Sequence, residues 1–227
     1  LIILLMLGGM DVFDSICHAF ATTGTGGFST KQASIEFYHS PYIEYVISIF
    51  MFVSGINFTL LLLFVNGKFR KFIHDAELKW YLWSVIGFTA FIAIVLYYNS
   101  SMGVEEAFRK SLFQVASLHT STGFATADYM TWPSVLWGTL TVIMIIGACA
   151  GSTTGGMKCI RLLILAKISR NEFKHITHPN AVLPVRVNKQ VISPSIRSTV
   201  LAFSFLYAVL IIVGTLAMMG MGVGLLE

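Results

Sequence analysis

Two short polar segments, 96 residues apart, constrain the fold more than any other feature of the sequence. They are Thr22–Thr30 and Thr120–Thr126, and they align with Gly27 over Gly123. Each follows a short helix-like segment and precedes a long apolar stretch. Polar, non-helical backbone is tolerated at membrane depth only where it is buried in protein or lines a water-filled cavity. A repeated Thr/Gly loop between apolar helices is therefore typical of an ion pathway, because a dehydrated cation needs oxygen ligands.

The composition indicates an integral membrane protein. Only 11% of the residues are charged and 56% are hydrophobic, whereas soluble domains carry about 25% charged residues. A membrane-spanning helix needs about 20 mainly apolar residues. The segment Leu1–Leu7 resembles the end of one such span, and four further stretches are long enough to be spans. These four are Pro41–Val65, Trp80–Tyr98, Pro133–Lys167 and Val200–Met219.

The two segments that precede the Thr/Gly loops are too short to cross a membrane. Asp11–Ala21 and Val104–Leu118 are apolar on one side and begin with acidic residues, which favour the positive end of the helix dipole. We therefore predict two re-entrant pore helices. Their negative C-terminal ends would point toward the centre of a pore and attract cations.

The basic residues are distributed unequally between the two sides of the predicted spans. One side receives Lys31, Arg109 and Lys110 together with eight of the eleven acidic residues. The other side receives the remaining twelve basic residues, which are Lys68, Arg70, Lys71, Lys79, Lys158, Arg161, Lys167, Arg170, Lys174, Arg186, Lys189 and Arg197. Because positive charge stays cytoplasmic, both Thr/Gly loops are predicted to face outward, behind an acidic rim that concentrates cations.

The order of segments predicts a repeating unit of span, pore helix, Thr/Gly loop and span. Residues 1–72 would form one unit with a partial first span, and residues 73–174 a complete unit whose second span is broken. Residues 175–227 would form a cytoplasmic connector and the first span of a following unit. The predicted fold is an all-α membrane protein with repeated units around a central ion pore. Since one loop cannot surround an ion, we expect four units, and hence a chain that is part of a longer protein.

The Thr/Gly loops are the candidate ion-binding site, and we call the two together the filter. Backbone carbonyls of such loops can replace the hydration shell of K⁺, and glycine permits backbone conformations that a Cβ disfavours. The predicted ligands are Thr25, Gly26, Gly27, Ser121, Thr122 and Gly123. Ser29 and Ala125 follow the Phe of each loop, where a potassium channel has a second glycine, so fewer well-formed ion sites are expected. The alternative interpretation is a pair of ordinary extracellular turns.

A polar, glycine-rich stretch interrupts the third long apolar segment near the predicted middle of the bilayer. We call residues 147–156 the intramembrane loop and predict that it gates the pathway. The gating residues would be Gly147, Gly151, Ser152, Thr153, Thr154, Gly155, Gly156 and Lys158. Close helix packing through small residues is an alternative. A phosphate-binding loop is disfavoured, because Met157 stands where that motif requires Lys.

Four other polar residues each have two interpretations. Asn57, inside a predicted span, would make an interhelical contact or line the cavity below the filter. Lys158 and Arg161 would anchor the chain at the cytoplasmic face or repel a cation at the inner end of the pathway. His119 would pack behind the filter or sense pH.

The motifs together resemble the Trk/Ktr/HKT potassium transporter superfamily. The resemblance rests on Ala21–Thr30, Thr120–Asp128, Gly55–Phe58 and Gly147–Lys158, and it covers the whole chain. It implies four span–pore-helix–span repeats around one pore, of which this chain holds the middle. It further implies potassium uptake, gating by the intramembrane loop and a bacterial cytoplasmic membrane. The implied partners are membrane lipid, a second copy of the protein in a homodimer and a cytosolic nucleotide-binding regulatory subunit of the TrkA type.

The cytoplasmic stretch Ser169–Ser198 is the expected docking face for such a regulator or for anionic lipid. It holds Arg170, Lys174, His175, His178, Arg186, Lys189 and Arg197, with Pro179 and Pro184 disfavouring a continuous helix.

The sequence argues against enzymatic chemistry. It contains no paired nucleophile and base, no metal cluster and no cofactor motif, and nothing suggests a nucleic-acid partner, so K⁺ is expected only as the transported ion. An intramembrane protease is disfavoured because Ser48, Ser54 and Ser204 have no His or Lys at helical spacing. A secondary cation symporter, which would be expected to carry coupling carboxylates inside its spans, and a Na⁺-permeable member of the same superfamily remain the alternatives.

Overall fold

The computed structural model describes residues 1–178, 180–181, 183–188 and 190–221. It divides into two compact units, Leu1–Ile160 and the part of the chain from Arg161 onward. Within the described residues the elements in chain order are α1 (Ile2–Leu7), α2 (Val12–Thr23), α3 (Pro41–Ser54), α4 (Phe58–Val65), α5 (Phe69–Ile73), α6 (Ala76–Asn99), α7 (Val104–His119), α8 (Ser134–Ile146), α9 (Cys159–Thr177), β1 (Arg186–Val187), β2 (Gln190–Val191) and α10 (Pro194–Gly220).

The long helices correspond to predicted spans. Among the described residues, α6 and α10 are long and apolar enough to cross a membrane, and the pair α3 and α4 would make a third span. The short helices α2 and α7 occupy the positions predicted for the pore helices. Asp11 caps the first of them, since its carboxylate accepts the backbone N–H of Asp14 at 2.7 Å.

The span predicted over Pro41–Val65 is broken in the structure and is not a single straight helix. Helix α3 ends at Ser54, α4 begins at Phe58, and their axes are bent by 102°. At the end of α3, Gly55 leaves room for Tyr81, because a Cβ at this position would lie 2.3 Å from the Tyr81 hydroxyl oxygen. Asn57 then caps α4, with its side-chain oxygen accepting the Thr59 N–H at 2.8 Å. The residue predicted to lie mid-span is thus a helix cap at a break.

The other predicted interruption is present. Helix α8 ends at Ile146 and α9 begins at Cys159, so the intramembrane loop lies between two helices.

Helix α7 occupies the centre of the first unit. It packs against α3, α6 and α8, and its core residues Phe113, Val115 and Ala116 are fully buried. Near its start, Arg109 forms a largely buried ion pair with Glu44 of α3 at 2.6 Å. Both predicted repeats therefore contribute to one compact unit. The division at residues 72 and 174 stays a prediction.

In the second unit the connector folds back on α9 before α10 begins. The Lys167 ammonium donates to the Arg186 carbonyl at 2.6 Å, and the Asn171 side-chain amide donates to the Leu183 carbonyl at 3.0 Å. The antiparallel strands β1 and β2 follow. Pro179 and Lys189, which belong to the predicted docking face, lie outside the described residues.

Candidate functional site

The two Thr/Gly loops share one backbone conformation. Thr25 and Gly27 have φ values of 52° and 67°, and the residues 96 positions later, Ser121 and Gly123, have φ values of 55° and 85°. Non-glycine residues seldom adopt positive φ. Its recurrence at matched positions therefore indicates a specific loop geometry rather than two unrelated turns.

The hydrogen bonds that form the loops are also repeated. The N–H of Gly26 donates to the Ala21 carbonyl at 2.8 Å, and the equivalent N–H of Thr122 donates to the Ser117 carbonyl at 2.8 Å. Each loop thus reverses direction directly after the C-terminus of its short helix. The negative ends of the helix dipoles of α2 and α7 accordingly lie beside the loops.

The backbones of the two loops are in close contact at Gly27. A Cβ added to Gly27 would lie 1.7 Å from the Thr122 carbonyl oxygen and 3.3 Å from the Gly123 carbonyl carbon. Only glycine fits there. Gly26, Ser121 and Gly123 are exposed beside this contact, so the structure brings all six predicted ligands into two adjacent loops.

The intramembrane loop contacts both Thr/Gly loops. The Thr25 hydroxyl donates to the Thr153 carbonyl at 3.1 Å, and the Thr153 hydroxyl donates to the Thr23 carbonyl at 3.2 Å. On the other side, the Gly155 N–H donates to the Ser121 hydroxyl at 3.0 Å. The loop predicted to gate a pathway therefore lies against the predicted ion ligands of both repeats.

Glycines allow the intramembrane loop to close on itself. Gly147 and Gly156 have φ values of 67° and 82°, and a Cβ on Gly156 would lie 2.7 Å from the Gly147 Cα. Gly151, with φ of 70°, passes the Asn57 side chain, whose amide nitrogen would lie 3.0 Å from an added Cβ. The hydroxyl oxygens of Ser152 and Thr154 lie 2.8 Å apart and form a hydrogen bond within the loop.

Comparison with known proteins identifies the family of this arrangement. The family model TrkH, described as a cation transport protein, matches residues 5–223. The chain belongs to the TrkH family.

Individual members of the family are similar over nearly the whole chain. The Trk system potassium uptake protein TrkH of Escherichia coli K12 is 37% identical over 225 residues, covering 96% of this chain and 46% of that protein. The TrkH of Halomonas elongata is 34% identical over 221 residues, with 96% and 45% coverage. The crystal structure of the potassium transporter TrkH from Vibrio parahaemolyticus matches with a TM-score of 0.92 and 32% identity, over 98% of this chain and 48% of that one.

These matches confirm the resemblance and the predicted all-α membrane fold. The chain spans about half the length of the curated TrkH relatives it matches.

Sequence reasoning missed one residue that holds the intramembrane loop of this TrkH-family chain. The buried carboxylate of Glu77, at the start of α6, accepts the N–H of Ala150 at 2.6 Å and the N–H of Ile160 at 3.2 Å. A second attachment is the Cys149 N–H, which donates to the Gly55 carbonyl at 3.1 Å. The signal in the sequence is an acidic residue directly before an apolar stretch.

Lys158 and His119 have identified surroundings. The Lys158 ammonium donates to the carbonyl of Thr154 and, at 2.9 Å, to its hydroxyl, so it folds over the loop. His119 is fully buried, with Nε2 2.7 Å from the Ser84 hydroxyl and its ring edge-on to Tyr81. These contacts favour the packing interpretation of His119 over a pH sensor.

Four basic side chains of the second unit surround one open cavity of about 270 Å³. They are Lys167, Arg170, Lys174 and Arg186. Part of the predicted docking face is thus a concentrated cationic surface.

Proposed function

We propose that this TrkH-family chain forms the middle part of a potassium uptake pathway in the cytoplasmic membrane of a bacterium. The backbone oxygens of Thr25, Gly26, Gly27, Ser121, Thr122 and Gly123 would coordinate dehydrated K⁺. The observation that carries the proposal is the contact between two loops of matched conformation, each at the C-terminus of a short helix. The names of the relatives, potassium uptake proteins and a potassium transporter, support K⁺ as the ion.

The environments of the two loop phenylalanines support further repeats around the same axis. Phe124 is 1% exposed and lies 5.8 Å, between ring centroids, from His18 of the preceding repeat. Its counterpart Phe28 is 83% exposed. A repeat that precedes residues 1–72 would cover Phe28 in the same way, and four repeats would enclose the ion.

We propose that the intramembrane loop, residues 147–156 together with Lys158, gates this pathway. The loop contacts Thr23, Thr25 and Ser121, so an ion leaving the filter inward would meet it. The intramembrane loop makes few hydrogen bonds to the two Thr/Gly loops. Its glycines also permit another backbone conformation. Opening of the pathway would require the intramembrane loop to move away from both Thr/Gly loops.

The proposed regulator is a cytosolic nucleotide-binding subunit of the TrkA type, acting on a homodimer. The relatives are named as parts of a Trk system, and the cationic cavity lined by Lys167, Arg170, Lys174 and Arg186 offers an attachment site for acidic groups. No catalytic role is proposed for the chain, which we assign to ion permeation alone.

Cation uptake by proteoliposomes tests the proposal. The purified full-length protein should take up K⁺ and Rb⁺ in preference to Na⁺ and Li⁺, driven by the ion gradient. Equal uptake of all four ions would contradict the assignment of K⁺, and no uptake of any of them would contradict the permease. Liposomes without protein give the background.

A further inference from the structure

A buried carboxylate lies directly behind the 22–30 loop. The side chain of Asp14, on α2, accepts hydrogen bonds from the Thr30 hydroxyl at 2.6 Å and from the Tyr38 hydroxyl at 2.7 Å. It also pairs with the Lys31 ammonium at 3.0 Å. Asp14 is only 4% exposed. The hydrogen bonds from Thr30 and Tyr38, assisted by Lys31, lower the pKa of Asp14 to about 2, so the carboxylate is ionised at neutral pH.

One helical turn further along α2, His18 extends the same set of contacts. Its Nε2 lies 2.9 Å from the Ser29 hydroxyl, and its Nδ1 lies 2.7 Å from the Asp14 carbonyl. Three consecutive residues after Phe28 are therefore bound to one face of α2. This face fixes the outer end of the 22–30 loop.

The contacts continue from Asp14 to the 120–126 loop. Tyr38 ends a 3₁₀ turn that begins at Ser34. The Ala125 N–H donates to the Ser34 hydroxyl at 3.2 Å, and the Glu36 N–H donates to the Ala125 carbonyl at 3.2 Å. Ala125 is the second residue after Gly123, so the turn held by Asp14 also holds the outer end of the second loop.

The later repeat has no equivalent acid. Lys110 occupies the position that matches Asp14, and it pairs with Glu106 at 2.8 Å on the same helix. The Thr126 hydroxyl, which matches that of Thr30, is buried and makes no hydrogen bond within the described part of the chain. Hydrogen bonds therefore lead from Asp14 directly to the 22–30 loop and, through the 3₁₀ turn, to the 120–126 loop.

We propose that Asp14 is a specificity-determining positioning residue, which sets the spacing of both filter loops and thereby the preference for K⁺ over Na⁺. The inference rests on the proposed function of the loops as a filter. Ligands hold their geometry only when a second layer of hydrogen bonds fixes them, and charge-assisted bonds are the stronger kind. A filter held open in this way resists contracting around the smaller Na⁺.

The test compares K⁺ and Na⁺ uptake by the full-length protein carrying Asp14→Asn, Tyr38→Phe or Lys110→Gln. Asp14→Asn removes the charge and should lower the ratio of K⁺ to Na⁺ uptake on the order of tenfold, as expected when one charge-assisted bond is lost. Tyr38→Phe removes only the link to the 3₁₀ turn, so it should lower the ratio less. Lys110→Gln is the matched control at the equivalent position and should leave the ratio unchanged.

The outcomes separate this inference from the proposed function. If the unaltered protein takes up no alkali cation, the proposed function is contradicted. If the unaltered protein prefers K⁺ and both Asp14→Asn and Tyr38→Phe keep that preference, only the proposed role of Asp14 is contradicted. Should Asp14→Asn fail to give a monodisperse protein, Tyr38→Phe decides alone, and an unchanged ratio with normal uptake overturns the inference. An equal loss of preference in Lys110→Gln would also overturn it.

Discussion

At the scale of single residues, glycine is required where two backbones meet closely and is favoured where φ is positive. Gly27 satisfies both conditions, since its φ is 67° and an added Cβ would meet the Thr122 carbonyl oxygen at 1.7 Å. The sequence predicted Gly27 as a ligand, but it could not predict this contact, because the contact depends on a loop 96 residues away.

Substitution of Gly27 by Ala should abolish K⁺ uptake and destabilise the protein. Left-handed backbone alone costs a residue with a Cβ about 1–2 kcal/mol, and the clash with Thr122 adds to that cost. Gly123 also has positive φ, but nothing lies within 4 Å of an added Cβ. Gly123→Ala should therefore lower K⁺ uptake and stability less than Gly27→Ala does. Gly138→Ala, on the open surface of α8, is the control, and its free energy of unfolding should rise by up to about 1 kcal/mol.

Thermal unfolding in detergent and K⁺ uptake, measured together, rank the three glycine variants. A Gly27→Ala protein that unfolds and transports like Gly138→Ala would refute the close contact between the loops.

Asp14 should make stability depend on acidic pH. Its pKa is lowered from 3.8 to about 2 by hydrogen bonds from Thr30 and Tyr38, so the folded state binds this proton more weakly than the unfolded state does. The stabilisation is complete above about pH 4 and is lost as the pH falls from 3.8 through 2. The melting temperatures of the unaltered protein and Asp14→Asn should therefore converge over this range, and a constant difference from pH 5 to pH 2 would be inconsistent with the ionised carboxylate.

At the scale of secondary structure, the apolar stretches and the short helices could be predicted from local patterns. The segments Trp80–Tyr98 and Val200–Met219 lie within α6 and α10, and Asp11–Ala21 differs from α2 by one or two residues. The break after Ser54 was missed because hydropathy continues across it. The glycine and asparagine that cap its two sides, Gly55 and Asn57, were local signals of the break.

The buried carboxylate of Glu77 should hold the intramembrane loop in place. Glu77→Ala removes the acceptor for the N–H groups of Ala150 and Ile160, so the intramembrane loop should detach. Cys149, which is fully buried in the unaltered protein, should then react faster with a maleimide. Glu77→Gln keeps an oxygen acceptor and should protect Cys149 nearly as well as the natural residue.

Peptide mapping by mass spectrometry identifies which cysteine is labelled in the Glu77 variants. The partly exposed Cys17 serves as the internal reference for reagent and folding. Unchanged labelling of Cys149 in Glu77→Ala would argue against attachment of the loop through Glu77.

At the scale of the whole molecule, the charge distribution predicts which side of the membrane each segment faces. Lys68, Arg70 and Lys71 lie before α6, and Ser100 and Ser101 follow it. The positive-inside rule therefore predicts that α6 runs from the cytoplasm to the outside. Contacts within the chain carry no information on this orientation, so it requires labelling from one side of the membrane.

Single cysteines at Ser101 and Lys68, in a variant with Cys17, Cys149 and Cys159 replaced, test the orientation. A membrane-impermeant maleimide added to intact cells should label the cysteine at Ser101 and leave the one at Lys68 unlabelled until the cells are broken. Labelling in the reverse order would invert the orientation and place both filter loops on the cytoplasmic side.

Anomalous X-ray scattering from Rb⁺ tests the proposed filter most directly, because it locates the ion against the atoms that should hold it. Crystals of the full-length protein grown in Rb⁺ should contain an anomalous peak within coordination distance of backbone oxygens from both the Gly27 and the Gly123 loops, and the peak should weaken when Na⁺ replaces Rb⁺. Well-ordered loops without a peak between them, or carbonyl groups turned toward lipid, would contradict the coordination of K⁺ by this chain.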